Sequence, residues 1–472
     1  MADSLLGRAS HLVHDCIVAV STPRGRGAVG VVRLSGPHEV VGAVVEVVVG
    51  GRLERGTRRL ALVEIAAGRA DDGADLRPGI TGVGAGPRRA LTDRGLAVWF
   101  AAPGSYTGED VVELHLHGNP VLLDGCVAAC VAAGARAAEP GEFTRRALGN
   151  GKLSLLEAEG VDALIRAPGE AAARAARRHL GGELQVRLGG WRDRLLTAAV
   201  ALEALVDFPE DVGEDEVAGE LAALADLGRE MEALRVASEA GRRLFDGLQV
   251  ALVGPVNAGK STLLNALLGH ERAIVSATPG TTRDVVSETV SWGGVAVRLE
   301  DTAGDRETTD AIEAAGIARS GRAAELADVV VQVRDGRAVG ESDVREGRAS
   351  STVRVATHGD LLDTQQRAAW NEAGWLVVDG VRGTGLDAVK SAILASGEAT
   401  DTGELILHSA RQRGALAEAS GALAEALDAG AEEPVLCAVA VRRAGRALEE
   451  LAGAWVDDAV LDELFARFCI GK

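Results

Sequence analysis

The chain has 472 residues, of which 47% are hydrophobic, with a mean hydropathy of +0.10 and a formal net charge of −19. This length suffices for roughly two to four domains with cores of their own, and the acidic balance argues against a surface that coats nucleic acid. No apolar run is long enough to span a membrane and the N-terminal residues lack a secretory pattern, so we expect a cytoplasmic protein without membrane contact. The five cysteines show no C-x-x-C spacing, which argues against disulfides and zinc.

The first half of the chain changes its pattern once. Residues 1–150 alternate short Val-rich segments with Gly/Pro turns, which predicts an N-terminal α/β domain. A segment rich in Gly, Arg and Asp near 68–95 is typical of an exposed loop. Over residues 151–246, apolar side chains recur every three to four residues, in a stripe that starts at Leu180 and Leu184. That spacing predicts a helical domain.

The second half carries an α/β segment followed by helices. Residues 247–397 combine strand and helix patterns, and helical periodicity returns over 398–472. An α/β domain inserted into a helical domain is the simplest interpretation, so we expect an α+β multidomain protein.

A phosphate-binding loop is the most informative motif of the inserted segment. The sequence GPVNAGKST at 254–262 fits G-x-x-x-x-G-K-[ST], in which backbone N–H groups cradle a phosphate and Lys260 adds a positive charge. An apolar run at 248–253 precedes it, and a helical pattern that ends at Gly269 follows it. The loop is therefore predicted between a buried strand and a helix N-terminus, with Ser261 as a ligand of Mg²⁺.

Two further motifs follow at the distances expected of a Ras-like GTPase. PGTTRD (279–284) supplies Thr282 as a second hydroxyl for the magnesium ion. DTAG (301–304) follows a second strand pattern and places Asp301 near the same ion. The order of the three motifs predicts a domain that binds GTP and hydrolyses it.

The base-recognition motif departs from the usual Asn-Lys-x-Asp. Residues 357–360 read Thr-His-Gly-Asp, in which Asp360 can still accept two hydrogen bonds from guanine. Thr357 and His358 replace the supporting Asn and Lys, and the loss of one hydrogen bond, about 0.5 to 1.5 kcal/mol, lowers affinity up to roughly tenfold. Asp-Gly-Val at 379–381 replaces Ser-Ala-Lys. Two interpretations stay open: a working GTPase with loosened base contacts, or a diverged nucleotide-responsive scaffold with relaxed base specificity.

The flanking segments resemble the MnmE (TrmE) family of tRNA-modification GTPases over nearly the whole chain. The resemblance is carried by VAVSTPRGRGAVGVVRLSG (18–36), SYTGEDVVELHLHGNP (105–120), EPGEFTRRALGNGKL (139–153) and the terminal FCIGK. It implies an N-terminal folate-binding and dimerisation domain over 1–150, a discontinuous helical domain and an inserted Ras-like G domain. A ribosome-assembly GTPase is disfavoured, because no basic RNA-binding module follows the G domain.

The resemblance also implies an activity and its partners. GTP hydrolysis is coupled to modification of carbon 5 of the tRNA wobble uridine (U34), which gains an aminomethyl or carboxymethylaminomethyl group. A homodimer acts with a flavoprotein resembling MnmG (GidA) in a heterotetramer. A tetrahydrofolate derivative, 5-formyl or 5,10-methylene, supplies one carbon.

The motif matches further imply folate contacts by Arg33, Glu113, Lys152 and Lys472. A carboxylate such as Glu113 can accept from the N–H groups of a pteridine, and the cations suit the anionic glutamate tail. We expect Cys469, near the same pocket, to be buried and unreactive.

In the G domain, the resemblance implies a potassium ion in place of an arginine. It is held by the Asn257 side chain and by backbone carbonyls of Ser276, Thr278 and Thr281, while Glu313 orients the attacking water. The predicted catalytic residues are Glu313, Lys260 and Thr282. The expected nucleotide contacts are Asn257, Ala258, Gly259, Lys260, Ser261, Thr262, Ser276, Ala277, Thr278, Pro279, Gly280, Thr281, Thr282, Asp301, Thr302, Ala303, Gly304, Thr357, His358, Gly359 and Asp360.

Overall fold

The computed structural model describes residues 15–67, 92–208, 214–255, 257–269, 287–301, 327–338, 351–396, 403, 405–454 and 456–471. The chain divides into two compact units. The N-terminal unit comprises Met1–Ala158 together with Ala452–Lys472, and the central unit comprises Glu159–Leu451.

Strands and helices alternate through most of the described chain. The strands are β1 (Ile17–Val20), β2 (Val29–Gly36), β3 (Ala61–Ala66), β4 (Thr92–Phe100), β5 (Asp110–His117), β6 (Arg136–Ala137), β7 (Leu248–Val253), β8 (Ser287–Trp292), β9 (Val295–Asp301), β10 (Val329–Asp335), β11 (Thr352–Thr357) and β12 (Leu376–Val377). The helices are α1 (His38–Val49), α2 (Pro120–Ala132), α3 (Glu142–Gly149), α4 (Leu155–Arg166), α5 (Glu170–Leu180), α6 (Glu183–Asp207), α7 (Glu214–Asp246), α8 (Lys260–Leu268), α9 (Thr364–Glu372), α10 (Leu386–Ser396), α11 (Ala410–Ala429), α12 (Pro434–Ala452) and α13 (Asp458–Ala466).

A six-stranded sheet in the order β3-β4-β5-β2-β1-β6 organises the N-terminal unit. Its strands pair antiparallel, except that β1 and β6 are parallel. Successive side chains of a strand point to opposite faces, so Leu34 and Leu114 join a buried core with α1 and α2, while Arg33 and Glu113 lie on the other face. The prediction of a loop near 68–95 is wrong for residues 92–95, which belong to β4. Residues 68–91 lie outside the described residues.

Helices occupy the first part of the central unit, as predicted. α6 packs against α5 and α7, and α11 packs against α7. The apolar stripe predicted from Leu180 onward crosses a break, because α5 ends at Leu180 and α6 begins at Glu183 after Gly182, whose φ is 75°. Within the described part of the chain, no helix combines the length and apolar character needed to cross a membrane.

The second sheet has the order β12-β11-β10-β7-β9-β8, with every neighbouring pair parallel except β8 and β9. Its core includes Val250, Leu252, Val331 and Val355. Because the strands are parallel, the carboxyl ends of β7, β9, β10 and β11 meet at one edge, where open α/β sheets bind ligands. This topology fits the predicted Ras-like domain and brings the phosphate and base motifs together.

Candidate functional site

The phosphate loop (residues 254–262) connects β7 to the N-terminus of α8, as the motif predicts. A Cβ atom on Gly254 would lie 2.2 Å from the Val333 carbonyl oxygen, so only glycine fits there. Lys260 is 6% exposed, and its Nζ donates to the carbonyls of Gly254 and Pro255, both at 2.8 Å. The ammonium group is therefore held over the loop, where its charge and the N–H groups of the helix terminus favour a phosphate.

Two of the residues predicted to hold cations, Ser261 and Asn257, belong to this loop. Ser261 is the second residue of α8, and Asp301 ends β9 in register with Leu252 of β7. Asn257 is exposed, and its φ of 63° lies in the left-handed region. A hydroxyl and an amide supply oxygen ligands that suit Mg²⁺ and K⁺. The predicted residues that lie outside the described ones are Ser276, Ala277, Thr278, Pro279, Gly280, Thr281, Thr282, Thr302, Ala303, Gly304, Glu313 and Lys472.

Thr357 joins the base-recognition segment to the phosphate loop. Its side chain is 5% exposed, and its hydroxyl Oγ1 lies 2.7 Å from the Ala258 carbonyl oxygen, to which it donates. The sequence predicted weaker support from this short side chain, yet the hydroxyl reaches the loop directly. Asp360 follows in a 3₁₀ turn, Gly359–Leu361, and is exposed to solvent.

His358 lies beside an ion pair that sequence reasoning missed. Its Nδ1 is 3.0 Å from Thr357 Oγ1 and 3.5 Å from Asp335 Oδ1. Arg337 donates from Nε to Asp335 Oδ1 at 3.0 Å and from Nη2 to Oδ2 at 2.7 Å, and these hydrogen bonds lower the pKa of Asp335 to about 2. The available signal was an acidic residue at the end of β10, matching Asp301 at the end of β9.

The segment that replaces Ser-Ala-Lys forms a tight loop around Asp379. The buried carboxylate accepts from the backbone N–H of Val381 at 2.9 Å and of Arg382 at 3.0 Å, and these hydrogen bonds lower its pKa. Gly380 lies against α8, since a Cβ atom there would be 3.2 Å from Thr262 Cγ2. The Asp379 side chain therefore stabilises the loop, while the backbone of Gly380 stays next to the nucleotide motifs.

A second group of predicted residues meets on the N-terminal sheet. Arg33 and Glu113 are direct partners across β2 and β5, and Arg33 donates from Nε at 3.0 Å and from Nη2 at 2.8 Å to Glu113 Oε1. The rings of Tyr106 and Phe143 lie 5.8 Å from the guanidinium carbon of Arg33. Arg33 Nη1 also donates to the Gly471 carbonyl at 3.4 Å, which brings the C-terminal segment to this face. A carboxylate, a guanidinium and two rings are chemistry that fits a pteridine.

The remaining members of this group are only partly as predicted. The Lys152 side chain lies against Gly108, in the loop that carries Tyr106. Cys469 is exposed, so the expectation of a buried thiol is wrong; the neighbouring Phe468 is buried instead. His115, whose Nε2 lies 3.4 Å from Glu113 Oε2, was missed, although its position two residues along the same strand face was the signal.

Two family models match the chain where these sites lie. The model described as "GTP-binding protein TrmE N-terminus" covers residues 16–152, and "MnmE helical domain" covers 155–469. Two proteins described as "tRNA modification GTPase MnmE" are similar over nearly their whole length. The one from Rhodospirillum rubrum is 40% identical over 470 residues, covering 97% of this chain and 99% of its own length. The one from Thermus thermophilus is 40% identical over 461 residues, again covering 97% and 99%.

The chain belongs to the MnmE family of tRNA modification GTPases. The resemblance seen in the sequence is confirmed. The predicted enzyme class, a GTPase, is the one named for these relatives. Among solved structures, the G domain of the T. maritima FeoB iron transporter matches with 22% identity and a TM-score of 0.22, over 32% of this chain and 98% of that one. At that score the likeness adds nothing to the MnmE assignment.

Proposed function

We propose that this chain hydrolyses GTP in the modification of carbon 5 of the wobble uridine of tRNA. The observation that carries the proposal is the direct link between the two ends of a nucleotide site. The Lys260 ammonium sits over the phosphate loop, and Thr357 ties that loop to the segment bearing Asp360. Such a site, in a chain of the MnmE family, supports guanine-nucleotide chemistry.

Hydrolysis requires a water oxygen to bond to the γ-phosphorus while the bond to the β–γ bridging oxygen breaks, giving GDP and phosphate. Lys260 would turn its ammonium from the Gly254 and Pro255 carbonyls to the phosphate oxygens. Ser261 and Thr282 would hold Mg²⁺, with Asp301 near the ion, and the ion would neutralise charge that develops on the phosphates. Glu313 would orient the water.

The potassium proposal concerns Asn257. An exposed amide in the phosphate loop suits a monovalent cation near the bridging oxygen, where an arginine acts in other GTPases. The carbonyls of Ser276, Thr278 and Thr281 would complete the site.

Guanine specificity would depend on Asp360 and on the loop at Gly380. Asp360 is exposed at the strand edge and can accept from guanine N1–H and N2–H. The backbone N–H of Gly380 would donate to guanine O6. Adenine carries an acceptor at N1 and a donor at position 6, so ATP would pair with neither Asp360 nor the Gly380 N–H.

Steady-state hydrolysis of GTP and ATP, each in potassium and in sodium, tests this proposal. We expect GTP turnover to exceed ATP turnover and to need potassium. Asn257→Ala should retain GDP binding and lose the potassium stimulation, while Lys260→Ala should lose nucleotide binding. Equal rates of GTP hydrolysis in potassium and sodium would contradict a role for potassium. Equal hydrolysis of ATP and GTP would contradict the assigned substrate.

The N-terminal unit would bind a tetrahydrofolate derivative, 5-formyl or 5,10-methylene, through Arg33, Glu113, Lys152 and Lys472. The support is the cluster of charge and aromatic rings on one sheet face. Calorimetric titration with 5-formyltetrahydrofolate should give binding that Glu113→Gln weakens. Glu64→Gln, at an exposed position of β3, is the matched control and should bind 5-formyltetrahydrofolate as tightly as the unchanged chain does. Equal affinity in all three proteins would contradict the assignment.

We also propose a homodimer that works with a flavoprotein resembling MnmG (GidA) in a heterotetramer on tRNA. Leu62 and Leu96 are direct partners across β3 and β4 and are 60% and 37% exposed, with Leu60 nearby at 57%. Exposed apolar groups side by side support a protein contact at this position. Sedimentation should give a dimer that Leu62→Asp dissociates; a monomeric unchanged chain would contradict the proposal.

A further inference from the structure

The Tyr106 ring, beside the proposed folate-binding residues, is fixed to helix α3. Tyr106 belongs to the loop between β4 and β5, and its ring centroid lies 5.8 Å from the guanidinium carbon of Arg33. Its hydroxyl lies 2.9 Å from Oγ1 of Thr144, a fully buried residue of α3. Asn150, which follows α3, donates from Nδ2 to the Thr107 carbonyl at 2.8 Å. Contacts with α3 therefore set the position of the ring relative to Arg33.

A buried arginine of the same helix holds the end of this loop. The Arg146 side chain is 3% exposed, and its Nη1 lies 3.2 Å from Glu109 Oε2. Its Nη2 lies 2.6 Å from Asp15 Oδ1 and 3.0 Å from Glu142 Oε1. Glu109 Oε2 also accepts from the Ser35 hydroxyl at 2.7 Å. Because a guanidinium stays protonated in proteins, its burial depends on these three carboxylates, and one of the three belongs to the loop.

We propose that Arg146 is a positioning residue of the folate site, because its contact with Glu109 holds the loop that presents Tyr106 to the ligand. The inference rests on the proposed function and adds to it a residue that acts through the loop, since Arg146 itself is buried. Ser35 lies two residues from Arg33 on the same face of β2, so Glu109 also binds the strand that carries Arg33. A loop that is already in place loses less conformational freedom when the ligand binds, which raises the affinity.

Calorimetric titration of the full chain with 5-formyltetrahydrofolate tests the inference. Glu109→Gln keeps the shape of the side chain and removes its charge, so we expect binding about three- to tenfold weaker. Arg146→Lys should weaken binding by a similar factor, because an ammonium is a point charge that cannot hold all three carboxylates. Arg136 pairs with two of the same carboxylates, those of Asp15 and Glu142, at 2.8 and 2.6 Å. Arg136→Met is therefore the matched control and should change the affinity by less than about twofold.

A double-mutant cycle separates positioning of the ring from a general loss of folded protein. Once Tyr106→Leu has removed the ring, Glu109→Gln should change the affinity by less than about twofold. Unchanged affinity in both Glu109→Gln and Arg146→Lys would overturn the inference. So would an equal loss in Arg136→Met, or an equal loss for Glu109→Gln with and without the ring. If the unchanged chain did not bind 5-formyltetrahydrofolate, the folate assignment itself would fail, and the inference with it.

Discussion

Replacing Thr357 by valine removes one hydroxyl and little volume from the connection between the base segment and the phosphate loop. The hydroxyl donates to the carbonyl of Ala258, which is 2% exposed, and lies 3.0 Å from His358 Nδ1. A buried polar group that loses its partner costs about 1 to 3 kcal/mol. This hydrogen bond holds the phosphate loop against the base-recognition segment, so we expect its loss to lower nucleotide affinity. A loss of about 1 to 2 kcal/mol corresponds to roughly five- to thirtyfold weaker GDP binding.

Fluorescence titration with a GDP analogue measures this loss, and thermal melting of the nucleotide-free proteins checks that Thr357→Val stays folded. Thr357→Ser keeps the hydroxyl and is the matched control, with an affinity expected within about twofold of the unchanged chain. If the valine and serine variants bound GDP equally well, the hydroxyl would have no part in joining the two segments.

Two further predictions concern the helices of the central unit. The side chain of Glu159 is 2% exposed and pairs with Arg411 at 2.8 Å, so Arg411→Met should lower the free energy of unfolding, measured in urea, by about 3 to 5 kcal/mol. Arg442→Met, at an exposed ion pair, is the control and should lower it by less than about 1 kcal/mol; equal losses would contradict the prediction. Burial and the neighbouring His179 lower the pKa of His408 to about 3. Between about pH 6.5 and pH 3 this imidazole is therefore protonated in the unfolded chain and neutral in the folded chain. Stability should therefore fall as the pH drops from about 6.5 towards 3, and His408→Phe should reduce that slope by about 1.4 kcal/mol per pH unit; an unchanged slope would refute the assignment.

The phosphate loop could be predicted residue by residue because its requirements are local. Its glycines and Lys260 follow one another at a fixed spacing within residues 254–262. Asp335 could not be found in this way. It acts on the base segment because β10 pairs with β11 and aligns Asp335 with Thr357, a register that depends on contacts between distant parts of the chain.

Two other differences between the sequence predictions and the structure also have physical causes. The apolar spacing from Leu180 to Leu184 continues across a helix break, so periodicity alone does not show where one helix ends and the next begins, and Gly182 was the signal for the break. Cys469 was expected to be buried from its residue type, whereas exposure at a chain end depends on what packs over it. Arg33 and Glu113 were recognised through the family motifs, and only the pairing of β2 with β5 brings them together.

The central claim is that nucleotide hydrolysis by this chain serves tRNA modification. The most direct measurement is the content of modified wobble uridine, by mass spectrometry of digested tRNA, in cells that lack the gene for this chain. Cells supplied with the unchanged chain should regain the modification, and cells supplied with Lys260→Ala at equal abundance should not. If the modification stayed absent in both, or returned equally in both, the account would be contradicted.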